Sequence, residues 1–473
     1  MLTVLLVILP LFFSLIAFSL RQEKVIRLFT LLASLLVFGI AVAALVRFAT
    51  NCHCELLYVA NWSPSPGVSL KFGMDGLNIW MVMLTAFLLP LIILSTYNRN
   101  FSNPSAFYGL ILLMESALIG IFTTFDGLVF YIFWELALIP AWFICALWGG
   151  EDRIRITFKF FSYTFTGSLM MLAGLIWFYL RTPVPHSFDF QHLYRAILTS
   201  QERHWIFAAF LIAFAIKIPA FPFHTWQPDT YTQSPAAGTM LLGGLMAKMG
   251  LYGVLRLLIP VSQGILEGWR DPVIIMAITG IVYASLIAIT QDDLKRLVAY
   301  SSIAHASLIL AGLMTVSMQT LKGGVFQMVA HGVNITGLFI MIDFMERRTG
   351  KRSIASFGGI AQKAPRFAIL FMILLLGSIA FPLTNGFAGE FLLLLGLFAY
   401  DPIFGSIAAL TVILSAVYML WMYQRIFFGE SNVGNGNITD LTVAEMITVV
   451  PLALTVVITG CFPNLILNLI NLG

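Results

Sequence analysis

Fourteen apolar runs, each near the length of a bilayer-spanning helix, follow one another along this chain with short polar connections between them. A helix needs ~20 mostly apolar residues to cross the hydrocarbon region. The runs are Leu2–Leu20, Val25–Val46, Leu77–Tyr97, Phe107–Phe122, Leu128–Trp148, Phe158–Leu180 and Trp205–Phe223, then Ala236–Ile259, Val273–Ile289, Leu297–Val316, Gly323–Met345, Phe367–Leu397, Phe404–Trp421 and Val443–Ile466. Of the 473 residues, 59% are hydrophobic and only 10% are charged, against about 25% charged in a soluble domain. The fold class this predicts is an all-α, polytopic membrane protein. Met1 leads into the first run with no basic segment and no small-residue cleavage site, so Leu2–Leu20 is read as a spanning helix that stays.

Two runs are interrupted. The seventh contains Pro219 and Pro222, and the twelfth contains Pro382 and Asn385-Gly386. Proline removes an amide donor and clashes with the preceding turn, so both are expected as broken helices. The freed backbone groups must then be buried in protein or line a wet cavity. Phe221-Pro222 and Phe381-Pro382, 160 positions apart and each near a charge, suggest an internal duplication with an ion site between its halves.

Orientation follows from counting basic residues. Of 26 Lys+Arg, 16 fall in the odd-numbered connections, 8 in the even-numbered ones and 2 inside helices. The bias places the odd connections in the cytoplasm and both termini on the outer, periplasmic side. The two longer polar loops are too short for a soluble domain, so residues 1–473 form one membrane domain. The net charge of +4 is spread along the chain, which gives no nucleic-acid signal.

Ionisable residues in spanning helices are rare and usually functional. Here Glu135, Lys217, Lys248, His305, His331 and Glu390 each sit inside a different run. Glu115 is a further buried carboxyl without an assigned role. Singly, a Glu–Lys pair could be structural and a histidine could be a satisfied core residue. As a set they exceed what structural pairing requires. Burial penalises a charged form and a nearby opposite charge restores it. At an effective ε of 20, a unit charge ~4 Å away is worth ~4 kcal/mol, about three pKa units. Lysine and glutamate can therefore exchange protons near neutral pH, where histidine titrates, and Glu135 is expected to control the proton on Lys217. Gly243, Gly244 and Gly250 around Lys248 allow close helix approach. Asp126, Asp292 and Asp293 are expected as caps or solvated charges, and Lys295 and Arg296 as cytoplasmic anchors.

The four cysteines make no disulfide framework. Cys52-His53-Cys54 has no matching second pair for a four-ligand zinc site. His305 and His331 suit a relay better than haem ligation. No redox or nucleotide-binding motif appears. No metal and no cofactor are expected in this chain. The lysines and histidines favour protons over sodium, which takes oxygen ligands.

Three stretches, "AFAIKIPAFPFHTWQPDTYTQSPAAGTMLLGGLMAKMGLYGVLR", "QDDLKRLVAYSSIAHASLI" and "FYIFWELALIPAWF", resemble the antiporter-like subunits of respiratory complex I (NADH–quinone oxidoreductase). Those subunits are similar to the large subunits of multi-subunit cation/proton antiporters. The resemblance spans nearly the whole chain. It implies two inverted five-helix repeats, helices four to eight (101–260) and nine to thirteen (261–430), after three N-terminal helices (1–100) and before a last helix (431–473). It implies that Glu135, Lys217, Lys248, His305, His331 and Glu390 occupy the family's relay positions. "GFAGEF", with Glu390, resembles the M-type subunit, which carries glutamate where the other antiporter-like subunits typically carry lysine; the length and the lack of an amphipathic arm point the same way. Gln227 stands where an apolar residue is common, and Asn334 adds a polar group after His331. The resemblance further implies proton translocation in a bacterial inner membrane, with other membrane-arm subunits, flanking antiporter-like subunits and lipid as partners. FMN, iron–sulfur clusters and quinone would belong to the complex as a whole. The rival expectations are a sodium/proton antiporter subunit and a structural anchor whose charges only pair.

Overall fold

The computed structural model describes residues 1–50, 56–63, 67–430 and 438–470. Cys52-His53-Cys54 lies outside the described residues. Among the described residues, eleven helices are long and apolar enough to cross a membrane. They are α1 (Leu2–Ser19), α2 (Glu23–Thr50), α4 (Pro104–Thr123), α5 (Gly127–Trp148), α6 (Arg153–Leu180), α9 (Ala236–Val261), α10 (Leu266–Thr290), α11 (Leu294–Met314), α12 (Met318–Thr349), α15 (Pro402–Phe427) and α16 (Val443–Cys461). The remaining runs are carried by shorter pieces: α3 (Ile79–Ser95), the pair α7 (Ser200–Lys217) and α8 (Gln227–Gln233), and the pair α13 (Pro365–Ser378) and α14 (Asn385–Tyr400). The protein is thus an all-α membrane protein whose seventh and twelfth runs are broken.

Several helix ends follow from local chemistry. Thr199 and Glu202 form a reciprocal capping box that starts α7 ahead of the expected Trp205. The Asp126 carboxylate accepts the Leu128 and Val129 amides at 3.0 and 3.1 Å, and Asp293 accepts the Arg296 amide at 3.0 Å; both are caps, as expected. Asn385-Gly386 opens α14 instead of interrupting it, because the break itself occupies 379–384.

Lys295 departs from expectation. It is buried, with Nζ 3.4 Å from Glu346 Oε2, because α11 lies inside the bundle and its first turn is covered by α12. Sequence also gave no sign of the antiparallel hairpin β1 (Tyr58–Ser63) and β2 (Val68–Phe72). It lies at the end of the bundle where Lys71 meets Asp189 at 2.5 Å.

Helices α4, α9, α11 and α12 are enclosed by the others, while α1, α2, α6, α15 and α16 turn apolar faces outward. Leu32, Phe158, Trp177, Ile413 and Leu454 are exposed on those faces, as lipid or neighbouring helices require. Glycine permits the tight centre. A Cβ on Gly250 would lie 2.7 Å from Ile218 Cγ1 and 3.0 Å from both Ile218 N and Phe214 O. Gly250→Val is therefore expected to wedge α9 from α7 at a cost of about 1–3 kcal/mol. Lower chain recovery from membranes, relative to Gly39→Val, checks it; nothing lies within 4 Å of a Cβ at Gly39.

Candidate functional site

Four of the six candidate residues converge at the centre. Lys248, on α9, donates from Nζ to the Gly243 carbonyl at 2.6 Å and lies 2.8 Å from His331 Nδ1 on α12. The His331 and His305 rings are 6.0 Å apart between centroids. His305 Nδ1, on α11, is 2.7 Å from Glu390 Oε1 on α14, although the ring is not aligned for a good hydrogen bond. Gln327 Nε2 donates to the same Glu390 oxygen at 3.0 Å. Lysine, two histidines and glutamate thus form a line across four helices, all buried.

The backbone around Lys248 is specialised. π turns at Leu242–Met246 and Val254–Leu258 flank it. Each inserts a residue into the helical turn and re-aims the side chains that follow. Sequence reasoning missed these turns because glycine at 243 and 244 reads equally well as close packing. That expectation also holds: a Cβ on Gly244 would lie 2.2 Å from Thr336 Oγ1.

Glu135 and Lys217 form the other part. Lys217 ends α7 at the break and is 2% exposed, and its Nζ has no hydrogen-bond partner. It sits 5.3 Å from the centroid of the Trp134 ring, within cation–π range. Glu135 on α5 is the charge it feels, but the two are not in ion-pair contact. Glu135 is only half-buried, with Tyr131 beside it. Lys217 and Lys248 occupy helices that approach closely at Gly250, and no hydrogen bond joins the two ammonium groups to a shared partner, since Lys217 Nζ has none. The structure therefore brings together Lys248, His331, His305 and Glu390, and leaves Glu135 and Lys217 as a neighbouring electrostatic pair. Glu115 on α4 is fully buried with both carboxylate oxygens unpartnered.

Two participants escaped the sequence reading. Trp134 passes for an ordinary apolar residue, and Gln327 sits in an otherwise unremarked turn of α12. Gln327 follows the spacing Gln327–His331, one helical turn, which puts both on one face.

Each member is an acid or base, and two of the steps along the line, Lys248 to His331 and His305 to Glu390, lie at hydrogen-bond distance, which is the geometry that holding and passing protons requires.

The family model described as NADH:quinone oxidoreductase/Mrp antiporter, TM matches residues 125–415. The chain is 38% identical to NADH-quinone oxidoreductase subunit M of Rickettsia typhi over 94% of its own length and 90% of that protein's. It is 35% identical to F(420)H(2) dehydrogenase subunit M of Methanosarcina mazei, over 98% and 95% of the two chains. Among solved structures, a chain of respiratory complex I from Thermus thermophilus with bound NADH superimposes over the full length of both chains with a TM-score of 0.89 and 31% identity. The chain therefore belongs to the NADH:quinone oxidoreductase/Mrp antiporter transmembrane family, on its subunit M branch.

Proposed function

We propose that this chain is a proton-translocating subunit in the membrane arm of an NADH–quinone oxidoreductase, flanked by further antiporter-like subunits in a bacterial inner membrane, with both termini on the outer side. The single observation that carries this reading is the buried line from Lys248 through His331 and His305 to Glu390. Residues 101–260 and 261–430 act as two halves, with the Glu135–Lys217 pair in the first and the Glu390 end in the second. Lys248, near their junction, links them.

Redox chemistry takes place elsewhere in the complex, which supplies FMN, iron–sulfur clusters and quinone. This chain responds to it through charge. When Glu135 is ionised and near, Lys217 keeps its proton. When that influence weakens, the proton leaves the break and shifts the balance at Lys248. His331 and His305 hand a proton on toward Glu390, which holds it against Gln327. Relatives include both an NADH-quinone and an F(420)H(2) enzyme subunit, and no step proposed for this chain involves the electron donor. NADH is proposed because the NADH-quinone relatives are the more similar.

Glu135→Gln and Lys217→Ala test the coupling. Each is expected to lower proton-coupled quinone reduction about ten-fold, equivalent to about 1.4 kcal/mol, with the complex still assembled. Normal turnover in both variants would sink the relay. Lys217→Arg separates the anchor reading: a charge that only pairs tolerates it, whereas a group that must release its proton does not. Sodium-dependent transport in vesicles without electron input would favour the antiporter reading instead.

A further inference from the structure

On the face that carries the odd-numbered connections, arginine outnumbers acid at the helix ends. Arg99, Arg153 and Arg347 line a polar basin of about 670 Å³ with Asn98, Asn100 and Ser102, and no carboxylate is among the described residues lining it. Asp343, behind it, is shared by Arg99 and Arg347. Three guanidinium groups against this one carboxylate leave an excess of two positive charges. Arg153 reaches only the Gly150 carbonyl, at 3.3 Å. Of the two acids before it, Asp152 is held by Arg155 at 3.3 Å, and Glu151 lines an adjoining cavity with Lys295 and Arg352.

The basin continues into an apolar crevice. Asn98 and Arg347 also line this second space, of about 230 Å³, which lies between α2, α3 and α16 against α12. Its walls are Leu31, Leu94 and Ile447, and the buried Phe344 closes it from inside. Its one acid, Glu445, is taken up by Arg348 at 2.6 Å. Ile447 on α16, and Leu28 and Leu35 one turn either side of Leu31 on α2, are exposed, so the crevice opens sideways onto the apolar surface of the bundle. Its rim is fixed: Arg27 donates to the Arg99 carbonyl and to Asn100 Oδ1, the latter at 3.2 Å.

Two aromatic side chains mark the depth. Tyr97 is 39% exposed at the crevice, and Trp148, in the basin wall, donates Nε1 to the Ser102 carbonyl at 2.7 Å. Tyrosine and tryptophan collect at the headgroup level of a bilayer. Basic pockets between helix ends at that level take anionic lipid headgroups, and guanidinium matches phosphate with paired N–H donors. A soluble anion would occupy the basin and leave the crevice unexplained. A helix from a neighbouring subunit would fill the crevice and bring nothing to the arginines. One molecule that joins a phosphate to an acyl chain accounts for both.

We infer that this is a binding site for an anionic phospholipid of the cytoplasmic leaflet. Its phosphate rests on Arg99, Arg153 and Arg347, and one acyl chain lies in the crevice against Leu31, Leu94 and Ile447. Bound there, it clamps the ends of α2 and α3 to those of α12 and α16. The inference rests on the membrane orientation proposed above and not on the relay.

The test uses the assembled complex in detergent micelles that carry phosphatidylglycerol with a photoactivatable acyl chain. Micelles impose no leaflet, so failure of the site is separable from failure of the orientation. Expected is labelling of the peptides that contain Leu31, Leu94 and Ile447, at least five-fold above that from phosphatidylcholine with the same chain. Arg153→Gln should cut the phosphatidylglycerol label about five-fold, the effect of one basic group at a headgroup site, with turnover unchanged because Arg153 is no part of the relay. Ile447→Trp, which plugs the crevice, should lower the label on Leu31 and Leu94 for either lipid. Equal labelling by the two lipids, or full labelling in Arg153→Gln, would overturn the proposal by showing that no anionic headgroup decides occupancy. No label from either lipid would overturn it as well, and would place another subunit over the crevice.

Discussion

Lys248→Met is expected to leave an assembled complex whose proton-coupled quinone reduction has fallen about ten- to hundred-fold, the rate equivalent of a charge-assisted hydrogen bond worth ~1.5–3 kcal/mol. The reason is position. Lys248 is the one member of the line that contacts both a backbone carbonyl and a histidine, at 2.6 and 2.8 Å. Methionine fills a similar volume on the same π-flanked helix, so packing survives while the proton carrier is lost. His331 Nδ1 then loses its partner, and the line is cut at the junction of the two proposed halves. Quinone reduction with the proton gradient collapsed by an uncoupler, compared with pumping in sealed vesicles, checks the assignment. Pumping at the native proton-to-electron ratio in Lys248→Met would remove Lys248 from the path altogether.

The membrane architecture was legible because lipid is a demanding solvent. Long apolar runs, the prolines at 219, 222 and 382, and the mid-run charges each have few alternatives there. The candidate residues could be named one by one, since each is an ionisable group in an apolar sequence. Their grouping could not be read. That Lys248 pairs with His331 and not with Glu135 depends on how α9 and α12 cross. The crossing is set by contacts such as Gly332 against Leu84 and the Gly244 carbonyl, which no local pattern announces.

Two other features were hidden for different reasons. The π turns around Lys248 change the hydrogen-bond register and leave hydrophobic periodicity almost untouched over so short a stretch. Lys295 sits next to Arg296 in a basic pair that reads as a solvated helix start. Only the packing of α11 against α12 buries the first and leaves the second partly exposed beside Asp229, 3.2 Å away. Gln227, by contrast, is visible as a polar residue out of place, and only the packing around the start of α8 shows that it is fully buried.

Asp343→Asn is expected to cost stability more than transport. Asp343 is fully buried near the C-terminal end of α12, and each carboxylate oxygen receives an arginine, Arg99 on one side and Arg347 on the other. Arg347 also donates to the Ser95 carbonyl at 2.5 Å, while Arg27 reaches the Arg99 carbonyl. One carboxylate therefore ties α12 to the end of α3, and through Arg27 to α2. Breaking a buried pair from one side costs about 3–5 kcal/mol, because the partner charge is left uncompensated. Here the arginine side chains are 29% and 22% exposed, so water recovers part of the loss and about 2–3 kcal/mol remains. Asparagine keeps the shape and removes the charge, which isolates the electrostatic contribution. The check is thermal loss of this chain from the detergent-solubilised complex, with turnover per assembled complex measured in parallel. An unchanged thermal midpoint would show that Arg99 and Arg347 are held by the backbone carbonyls and water alone. A stable complex with lost turnover would instead place Asp343 on the proton route.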